Sequence, residues 1–130
     1  QQALDAFSGG HSVLLYSAAG PDDPSIRATR DELTEGGGSS ARVLGAEMGR
    51  MTRDLLARTG LRRVVIAGGD TSSYATQELQ LYGLEMLSEL TPGAPLCRAY
   101  SEDPQFDGLE IALKGGQMGK ADYFGLARGT

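Results

Sequence analysis

One stretch decides the fold of this chain, RVVIAGGDTSSYATQEL at residues 63–79. Its first part, Val64–Ala67, is a continuous apolar run rich in β-branched residues, which is typical of a strand buried on both faces. Two glycines then interrupt the run, and the polar residues after them can cap a helix. Ala75, Leu79 and Tyr82 follow at helical spacing, and Gly83 predicts the end of that helix. The stretch therefore predicts a strand, a tight glycine turn and a helix.

The predicted turn has the geometry of an anion site. It places the first N–H groups of a helix, and the positive end of its dipole, beyond the carboxyl end of a strand. Gly68 and Gly69 let a ligand approach the backbone closely. The same pattern also occurs in plain connections, in which the glycines serve only the turn and Asp70 only caps the helix. The spacing matches neither the P-loop nor the dinucleotide fingerprint, so the turn alone predicts either a phosphate site or an ordinary connection.

A second glycine loop, KGGQMGK at residues 114–120, follows a later apolar segment. Its glycines can form a nest of N–H groups around phosphate oxygens, and Lys114 or Lys120 adds a positive charge. If the strands before the two loops are parallel neighbours, both loops open at one edge of the sheet, where ligands bind in open α/β folds. Asp70 can then hold a magnesium ion together with phosphates, or it can cap the helix.

The other segments predict an α/β fold, with a mixed and largely parallel sheet flanked by helices in a single domain, residues 1–130. Further strands are predicted at His11–Tyr16, Leu84–Leu90, Leu96–Tyr100 and Gly108–Leu113, the first two strands of the chain being parallel. Further helices are predicted at Gln1–Phe7, Ser25–Glu35, Ala41–Thr59 and Asp122–Arg128, with a surface loop at Gly36–Ser40. On the longest helix, one apolar stripe is expected to pack on the sheet: Leu44, Met48, Met51 and Leu55.

The composition and charge of the chain argue against several classes of function. A chain of 130 residues with 40% hydrophobic and 22% charged residues is typical of one soluble globular domain. Its net charge of −5 argues against general binding to nucleic acid or acidic membranes, which needs a basic face. Cys97 is the only cysteine and His11 the only histidine, so neither an internal disulfide nor a structural metal site is expected. No apolar run is long enough to predict a membrane span.

Three segments carry a family resemblance: Val64–Ser72 (VVIAGGDTS), Leu90–Leu96 (LTPGAPL) and Leu109–Gly119 (LEIALKGGQMG). In this order and spacing they resemble the C-terminal, nucleotide-binding domain of the four-carbon acid sugar kinases. Members of that family phosphorylate erythronate, threonate or 3-oxo-tetronate. The resemblance covers nearly all of the chain.

The resemblance implies that ATP, with magnesium, binds at the two glycine loops, chiefly through its phosphates. Asp70 is the candidate magnesium ligand, and the residues implied to contact the nucleotide are Gly68, Gly69, Asp70, Thr71, Ser72, Lys114, Gly115, Gly116 and Gly119. In the family a separate N-terminal domain binds the sugar acid, and the active site lies between the domains. That domain and an upstream serine motif are expected to lie outside these residues. The chain alone is therefore expected to be inactive, and no catalytic residue is assigned.

The resemblance also implies a cytoplasmic enzyme whose partners are a nucleotide and the sugar-acid domain, and a homo-oligomer is compatible with it. Two other functions fit the same residues. One is a non-catalytic nucleotide- or anion-binding module with a regulatory role, and the other is an interaction domain whose glycines serve only turns. The substrate acid and the residues that contact the base stay open. Tyr74, Tyr123 and Phe124 can stack on a base, although core packing is expected of each.

Overall fold

The computed structural model of the protein describes residues 1–18, 22–35 and 40–129. The contacts group the chain into two compact units, Gln1–Leu44 and Gly45–Thr130. Residues 36–39 of the predicted glycine–serine loop lie outside the described part. No helix in that part is long and apolar enough to cross a membrane. The helices and strands are α1 Gln2–Ser8, α2 Pro24–Glu35, α3 Ser40–Thr59, β1 Arg63–Ala67, α4 Gly69–Glu78, β2 Leu81–Ser88, β3 Leu96–Ser101, β4 Glu110–Lys114 and α5 Tyr123–Gly129.

The first unit contains α1, α2 and the start of α3. Helix α1 ends just before the glycine pair at residues 9–10, where the Gly10 N–H donates to the Phe7 carbonyl oxygen (2.9 Å). The predicted strand at His11–Tyr16 does not form, so that prediction is wrong. A strand needs a neighbour to pair its backbone groups, and the described part of this unit contains no other strand. The segment's apolar side chains stay in solvent, with Leu14 61% and Tyr16 71% exposed.

The second unit is built on a four-stranded sheet with the order β1-β4-β3-β2. Strand β1 pairs with β4 in parallel, whereas β3 pairs antiparallel with both β4 and β2. The α/β fold with a mixed sheet flanked by helices is confirmed, but the sheet is not largely parallel. The reason lies in the connections. Short loops join β2 to β3 and β3 to β4, and short loops allow only antiparallel neighbours.

Helices cover the two faces of this sheet unequally. Successive residues of a strand point to opposite faces, so Ile111 and Ala112 enter two different apolar clusters. The larger cluster includes Leu56 of α3, Ala75 of α4 and Leu79 just after α4, beside Ile66, Ala99, Phe106, Leu109 and Ile111. The smaller cluster contains Tyr123 of α5 with Ala94, Leu96 and Ala112. The sheet therefore has one large core and one smaller core.

Two arginines fasten the start of β1. The Arg62 guanidinium donates to the carbonyl oxygen of Gln105 (2.8 Å), in the loop between β3 and β4. Arg63 Nε donates to the carboxylate of Glu110 (2.6 Å), its register partner on β4. Another nitrogen of Arg63 donates to the Ala127 carbonyl oxygen (3.0 Å), near the end of α5. These bonds fix the β1–β4 pair at its amino-terminal end.

Helix α4 ends one turn earlier than predicted. Its last residue is Glu78, and Gln80 takes the left-handed conformation (φ +54°) that was expected of Gly83. The Gln80 carbonyl oxygen accepts from the Glu102 N–H (3.1 Å), which ties this turn to the end of β3. Tyr82 and Gly83 consequently lie in strand β2 rather than in the helix or at its stop. Pairing along β3 outweighs the helical spacing of Tyr82.

Helix α3 approaches α4 through small residues that the predicted apolar stripe did not include. Gly45 and Gly49 are buried, whereas Met51 of the stripe is 41% exposed. A Cβ at Gly49 would lie 3.1 Å from the Tyr74 carbonyl oxygen and 3.2 Å from the Ala75 nitrogen. A Cβ at Gly45 would overlap the Tyr74 ring. Tyr74 thus packs between helices, as expected.

We expect the substitution Gly49→Val to destabilise the fold. The added side chain meets backbone atoms of α4, which cannot move without separating the helices. The free energy of unfolding, measured by urea denaturation, should fall by about 1–3 kcal/mol. Ala57→Val is the matched control on an exposed position of the same helix, and its effect should stay below about 1 kcal/mol. Equal effects of the two substitutions would contradict the close packing of α3 on α4.

Candidate functional site

Two glycine loops lie side by side at the carboxyl ends of β1 and β4. These strands are parallel neighbours, and Ala67 is paired with Lys114 at their ends. The Gly68 N–H donates to the Lys114 carbonyl oxygen (2.8 Å), which joins the two loops directly. The turn after β1 and the Lys114–Lys120 loop therefore open at one edge of the sheet, as expected for parallel neighbours. This edge is where open α/β sheets bind ligands.

Helix α4 presents its first N–H groups at this edge. Gly68 is the N-cap, with φ +108°, and its carbonyl oxygen accepts the first helical bond from the Ser72 N–H (2.9 Å). The N–H groups of Gly69, Asp70 and Thr71 precede that bond and have no partner carbonyl in their own helix. Within the described residues, an added Cβ at Gly69 meets nothing within 4 Å. The helix start thus offers donors and open space to an anion.

Asp70 lies in the first turn of α4 and is exposed. The N-cap position belongs to Gly68, so the interpretation of Asp70 as the helix cap is wrong. In the described part of the chain, no group of three or more His, Cys, Asp and Glu residues could hold a metal ion. A single carboxylate together with phosphate oxygens is a donor set that magnesium commonly takes. The exposed carboxylate therefore fits a magnesium ion that a phosphate chain also holds.

Lys114 places its ammonium group over its own loop. The Nζ atom donates to the Gly115 carbonyl oxygen (3.1 Å) and lies 3.5 Å from the Gly116 carbonyl oxygen. It also lies 5.9 Å from the ring centroid of Tyr123, within the range of a cation–π contact. Gly116 is exposed and open, since a Cβ there meets no described atom within 4 Å. The positive charge and the accessible backbone of this loop thus lie together.

A third segment, the Thr91–Pro95 turn, lies at the same edge because β3 begins where β4 ends. The Tyr123 hydroxyl donates to the carbonyl oxygen of Ala94 in this turn (2.9 Å). The Tyr123 ring also covers Gly119, where a Cβ would lie 2.9 Å from a ring carbon. Tyr123 therefore fastens the turn to the Lys114–Lys120 loop. The residues of this segment predict a turn, but only the resemblance connected it with the site, and the sequence indicated no contact for it.

The three aromatic residues that could stack on a base differ in how far they are buried. Tyr123 is 1% exposed, so its ring is part of the core and cannot stack on a base. Burial raises the pKa of its phenol above the ordinary value. Phe124, the next residue, is 40% exposed and meets the Tyr123 ring edge to face, with centroids 6.0 Å apart. The core packing expected of Tyr123 is confirmed. Tyr74 is half-buried against α3 and belongs to neither core cluster, and the core packing expected of Phe124 is wrong because its ring keeps an accessible face.

The fold is that of an α/β domain with two glycine loops side by side at one edge of its sheet, and the backbone is open at Gly69 and Gly116. The profile of a protein family described as the nucleotide-binding C-terminal domain matches residues 1–124. The chain belongs to this family, the C-terminal domain of the four-carbon acid sugar kinases.

Two relatives with named activities are similar over almost the whole chain. The 3-oxo-isoapionate kinase of Paraburkholderia graminis is 43% identical over 130 residues, which cover 97% of this chain and 27% of that protein. The 3-oxo-tetronate kinase of Pseudomonas savastanoi pv. phaseolicola is 34% identical over 128 residues, which cover 98% of this chain and 28% of that protein. The chain thus spans about a quarter of the length of these relatives.

Solved structures show the same domain. A Haemophilus influenzae protein is 26% identical, with a TM-score of 0.69, and the match covers 88% of this chain and 26% of that one. A Bordetella bronchiseptica protein, crystallised with citrate as a domain-swapped dimer, is 26% identical with a TM-score of 0.60. That match covers 97% of this chain and 28% of the Bordetella chain. Both structures therefore share the fold of most of this chain.

We expect the stability of the protein to fall at high pH in a way that depends on Tyr123. Burial raises the pKa of its phenol, so the folded state holds the proton more tightly than the unfolded state. This contribution is complete below the unfolded pKa of about 10 and is lost as the pH rises through the higher folded pKa. Tyr123→Phe should lower the free energy of unfolding at pH 7 by about 0.5–1.5 kcal/mol, the usual value of one hydrogen bond.

The same variant should lose less stability than the unsubstituted protein as the pH rises above about 10, which urea denaturation at several pH values measures. Tyr82→Phe is the control, because the Tyr82 side chain is 68% exposed. It should follow the pH dependence of the unsubstituted protein. A Tyr123→Phe curve that also follows it would contradict the assignment.

Proposed function

We propose that this chain is the ATP-binding part of a sugar-acid kinase. The observation that carries the proposal is the junction of the two glycine loops, which the Gly68 N–H forms with the Lys114 carbonyl oxygen. Around it lie the open N–H groups of α4, an exposed carboxylate and a lysine ammonium group. These are the groups that a nucleotide phosphate chain requires, namely backbone donors, a charge and a site for magnesium.

Phosphoryl transfer depends mainly on positioning and on neutralising charge. In the proposed site, the N–H groups of Gly69–Thr71 and the backbone of Gly115, Gly116 and Gly119 hold the β- and γ-phosphates. Lys114 or Lys120 offsets the charge that develops on the transferred group. Asp70 holds or orients magnesium, which when bound would neutralise phosphate oxygens. Ser72 contributes by fixing the helix start through its N–H bond to Gly68.

The acceptor is proposed from the family and from the names of the relatives. A four-carbon acid sugar such as erythronate, threonate or 3-oxo-tetronate supplies the hydroxyl group, and the base that accepts its proton belongs to a separate N-terminal domain. The named activities of the relatives support this class of substrate. We further propose a cytoplasmic enzyme, where ATP is available. Self-association is proposed as well, supported by the domain-swapped dimer of the Bordetella protein.

Nucleotide binding should be lost on Gly69→Val and on Gly116→Val without unfolding. A Cβ at either glycine meets no described atom within 4 Å, so the side chain enters the space of the ligand rather than the protein. The affinity for ADP with magnesium should fall by at least about tenfold, because at least one charge-assisted hydrogen bond is lost. Calorimetry on the intact natural protein measures this affinity. GDP serves as the comparison ligand.

Gly125→Val is the matched control, since Gly125 in α5 is also open and lies outside both loops. It should bind ADP as the unsubstituted protein does. All three variants should keep a cooperative thermal transition. Unchanged ADP affinity in folded Gly69→Val and Gly116→Val would contradict the proposed site.

Removal of the Asp70 charge should separate the magnesium-dependent part of binding from the rest. The isosteric Asp70→Asn keeps the size of the side chain and removes the carboxylate. Its affinity for ADP should no longer increase when magnesium is added, whereas the affinity in a chelator should equal or exceed that of the unsubstituted protein. An undiminished magnesium effect in the variant would remove Asp70 as a ligand.

Turnover decides between a kinase and a non-catalytic module. The intact natural protein is assayed for ADP release with erythronate, threonate, 3-oxo-tetronate and 3-oxo-isoapionate as acceptors. Release of ADP that depends on one of these acids supports the kinase. Tight ADP binding with no turnover on any of them would favour the regulatory nucleotide-binding module.

A further inference from the structure

Met118, in the second glycine loop, is closely packed although its side chain is partly exposed. Met118 is 37% exposed, yet its Cγ atom lies 3.0 Å from the position of a Cβ on Gly115. Its terminal methyl group would overlap a Cβ on Gly93, in the Thr91–Pro95 turn. The Met118 side chain thus lies close against two glycines, Gly93 and Gly115. A Cβ on Gly93 would displace the methyl group of Met118, and a Cβ on Gly115 would crowd its Cγ atom.

The rest of the loop is fixed at its two ends. At the start, the Lys114 carbonyl oxygen accepts from the Gly68 N–H. At the end, Gly119 packs under the Tyr123 ring. Between these points the Met118 N–H donates to the Gly115 carbonyl oxygen (3.0 Å), which closes a turn. The side chain of Met118 connects this middle part to a different segment of the chain.

A loop with three glycines in five residues has a large entropy to lose when it becomes ordered. Backbone N–H groups bind phosphate well only if they are already aimed at it, because ordering them on binding lowers the affinity. A side-chain anchor in the middle of the loop therefore has a direct effect on a phosphate site. Methionine suits a narrow slot, since its side chain is unbranched and flexible.

We propose that Met118 is a positioning residue of the nucleotide site. Seated between Gly93 and Gly115, it fixes the Lys114–Lys120 loop against the Thr91–Pro95 turn in the conformation that receives the phosphates. The site itself is that of the proposed function, on which this inference rests. Met118 contacts no phosphate and acts through the loop backbone. The role of Gly93 is to leave room for the methionine, and its φ of +80° also suits glycine.

The contact between Gly93 and Met118 can be tested directly, because the two residues can be substituted separately. In Gly93→Ala the new methyl group overlaps the position of the Met118 methyl, and in Met118→Ala the anchor itself is gone. Either variant should free the loop. An alanine at φ +80° also strains the Thr91–Pro95 turn itself, in the single and in the double variant alike. In the double variant Gly93→Ala/Met118→Ala residues 115–119 should nevertheless be no freer than in Met118→Ala alone, because both changes remove the same contact with that loop. Met118→Leu, which is close in volume, should restore most of the anchoring.

The first measurement is amide hydrogen exchange of residues 115–119 in the intact natural protein without nucleotide. Exchange reports local opening, so it should speed up by about tenfold or more in both single variants, and the double variant should match Met118→Ala. Met51→Ala is the control, because Met51 is equally exposed but lies on α3. It should leave exchange in the loop unchanged. Unchanged exchange in Gly93→Ala and Met118→Ala overturns the proposal.

The second measurement separates positioning of the phosphate loop from general damage to the site. The affinities for ADP and AMP are compared, since their ratio reports the contribution of the second phosphate. Met118→Ala should weaken ADP binding by about tenfold and AMP binding by much less. Equal losses for the two ligands would show that Met118 does not act on the second phosphate, which overturns its role in positioning the phosphate loop. If the unsubstituted protein binds neither ligand, the proposed function fails, and hydrogen exchange alone decides whether Met118 fixes the loop.

Discussion

The parallel pairing of β1 with β4 is the constraint on which the rest of the structure depends. It places Ala67 beside Lys114, so that the chain leaves both strands at the same point and two glycine loops become neighbours. Arg63 and Glu110 secure the other end of the same pair. Every group assigned to the nucleotide depends on this register, since a shift of one residue would turn the strands over and separate the loops.

The two faces of the sheet support the site in different ways. On one face, the large cluster and the close approach of α3 at Gly45 and Gly49 hold α4, and therefore the N–H groups at its start. On the other face, the smaller cluster around Tyr123 holds the second glycine loop and the Thr91–Pro95 turn. A substitution in either core is therefore expected to disturb the glycine loops at this edge of the sheet. The large core acts through α4, and the smaller core acts through Tyr123.

Much of the second unit could be predicted from the sequence, because its signals are local. The strand–glycine–helix pattern at residues 63–79 and the apolar runs before each loop are determined by neighbouring residues. The end of α4 was predicted wrongly, since Gln80 rather than a glycine adopts the left-handed conformation, and pairing with β3 then extends β2 back to Leu81. The proportion of parallel pairs was also wrong, because it depends on strand order rather than on composition. The strand predicted at His11–Tyr16 failed for a similar reason, since an apolar run becomes a strand only beside a partner.

In the candidate site too, the features that neighbouring residues determine could be predicted, whereas the contacts between distant residues could not. Both glycine loops were identified from the sequence, but their junction through Gly68 and the contact of Met118 with Gly93 join residues far apart in the chain. The cap position was also misassigned. Ser and Asp residues are common caps, yet the helix begins one residue before Asp70 and leaves that carboxylate free for another role.

The position of Lys114 has a consequence for how strongly any anion is held. Its ammonium group is already satisfied in part by the carbonyl oxygens of Gly115 and Gly116. A phosphate that arrives must exchange with these oxygens, so the lysine contributes only the difference between its new and old partners. The carbonyl oxygens of Gly115 and Gly116 therefore compete with an incoming phosphate for the ammonium group of Lys114. In the proposed site this competition would weaken the attraction of the lysine for any anion, and the discrimination between phosphates would fall to the backbone N–H groups.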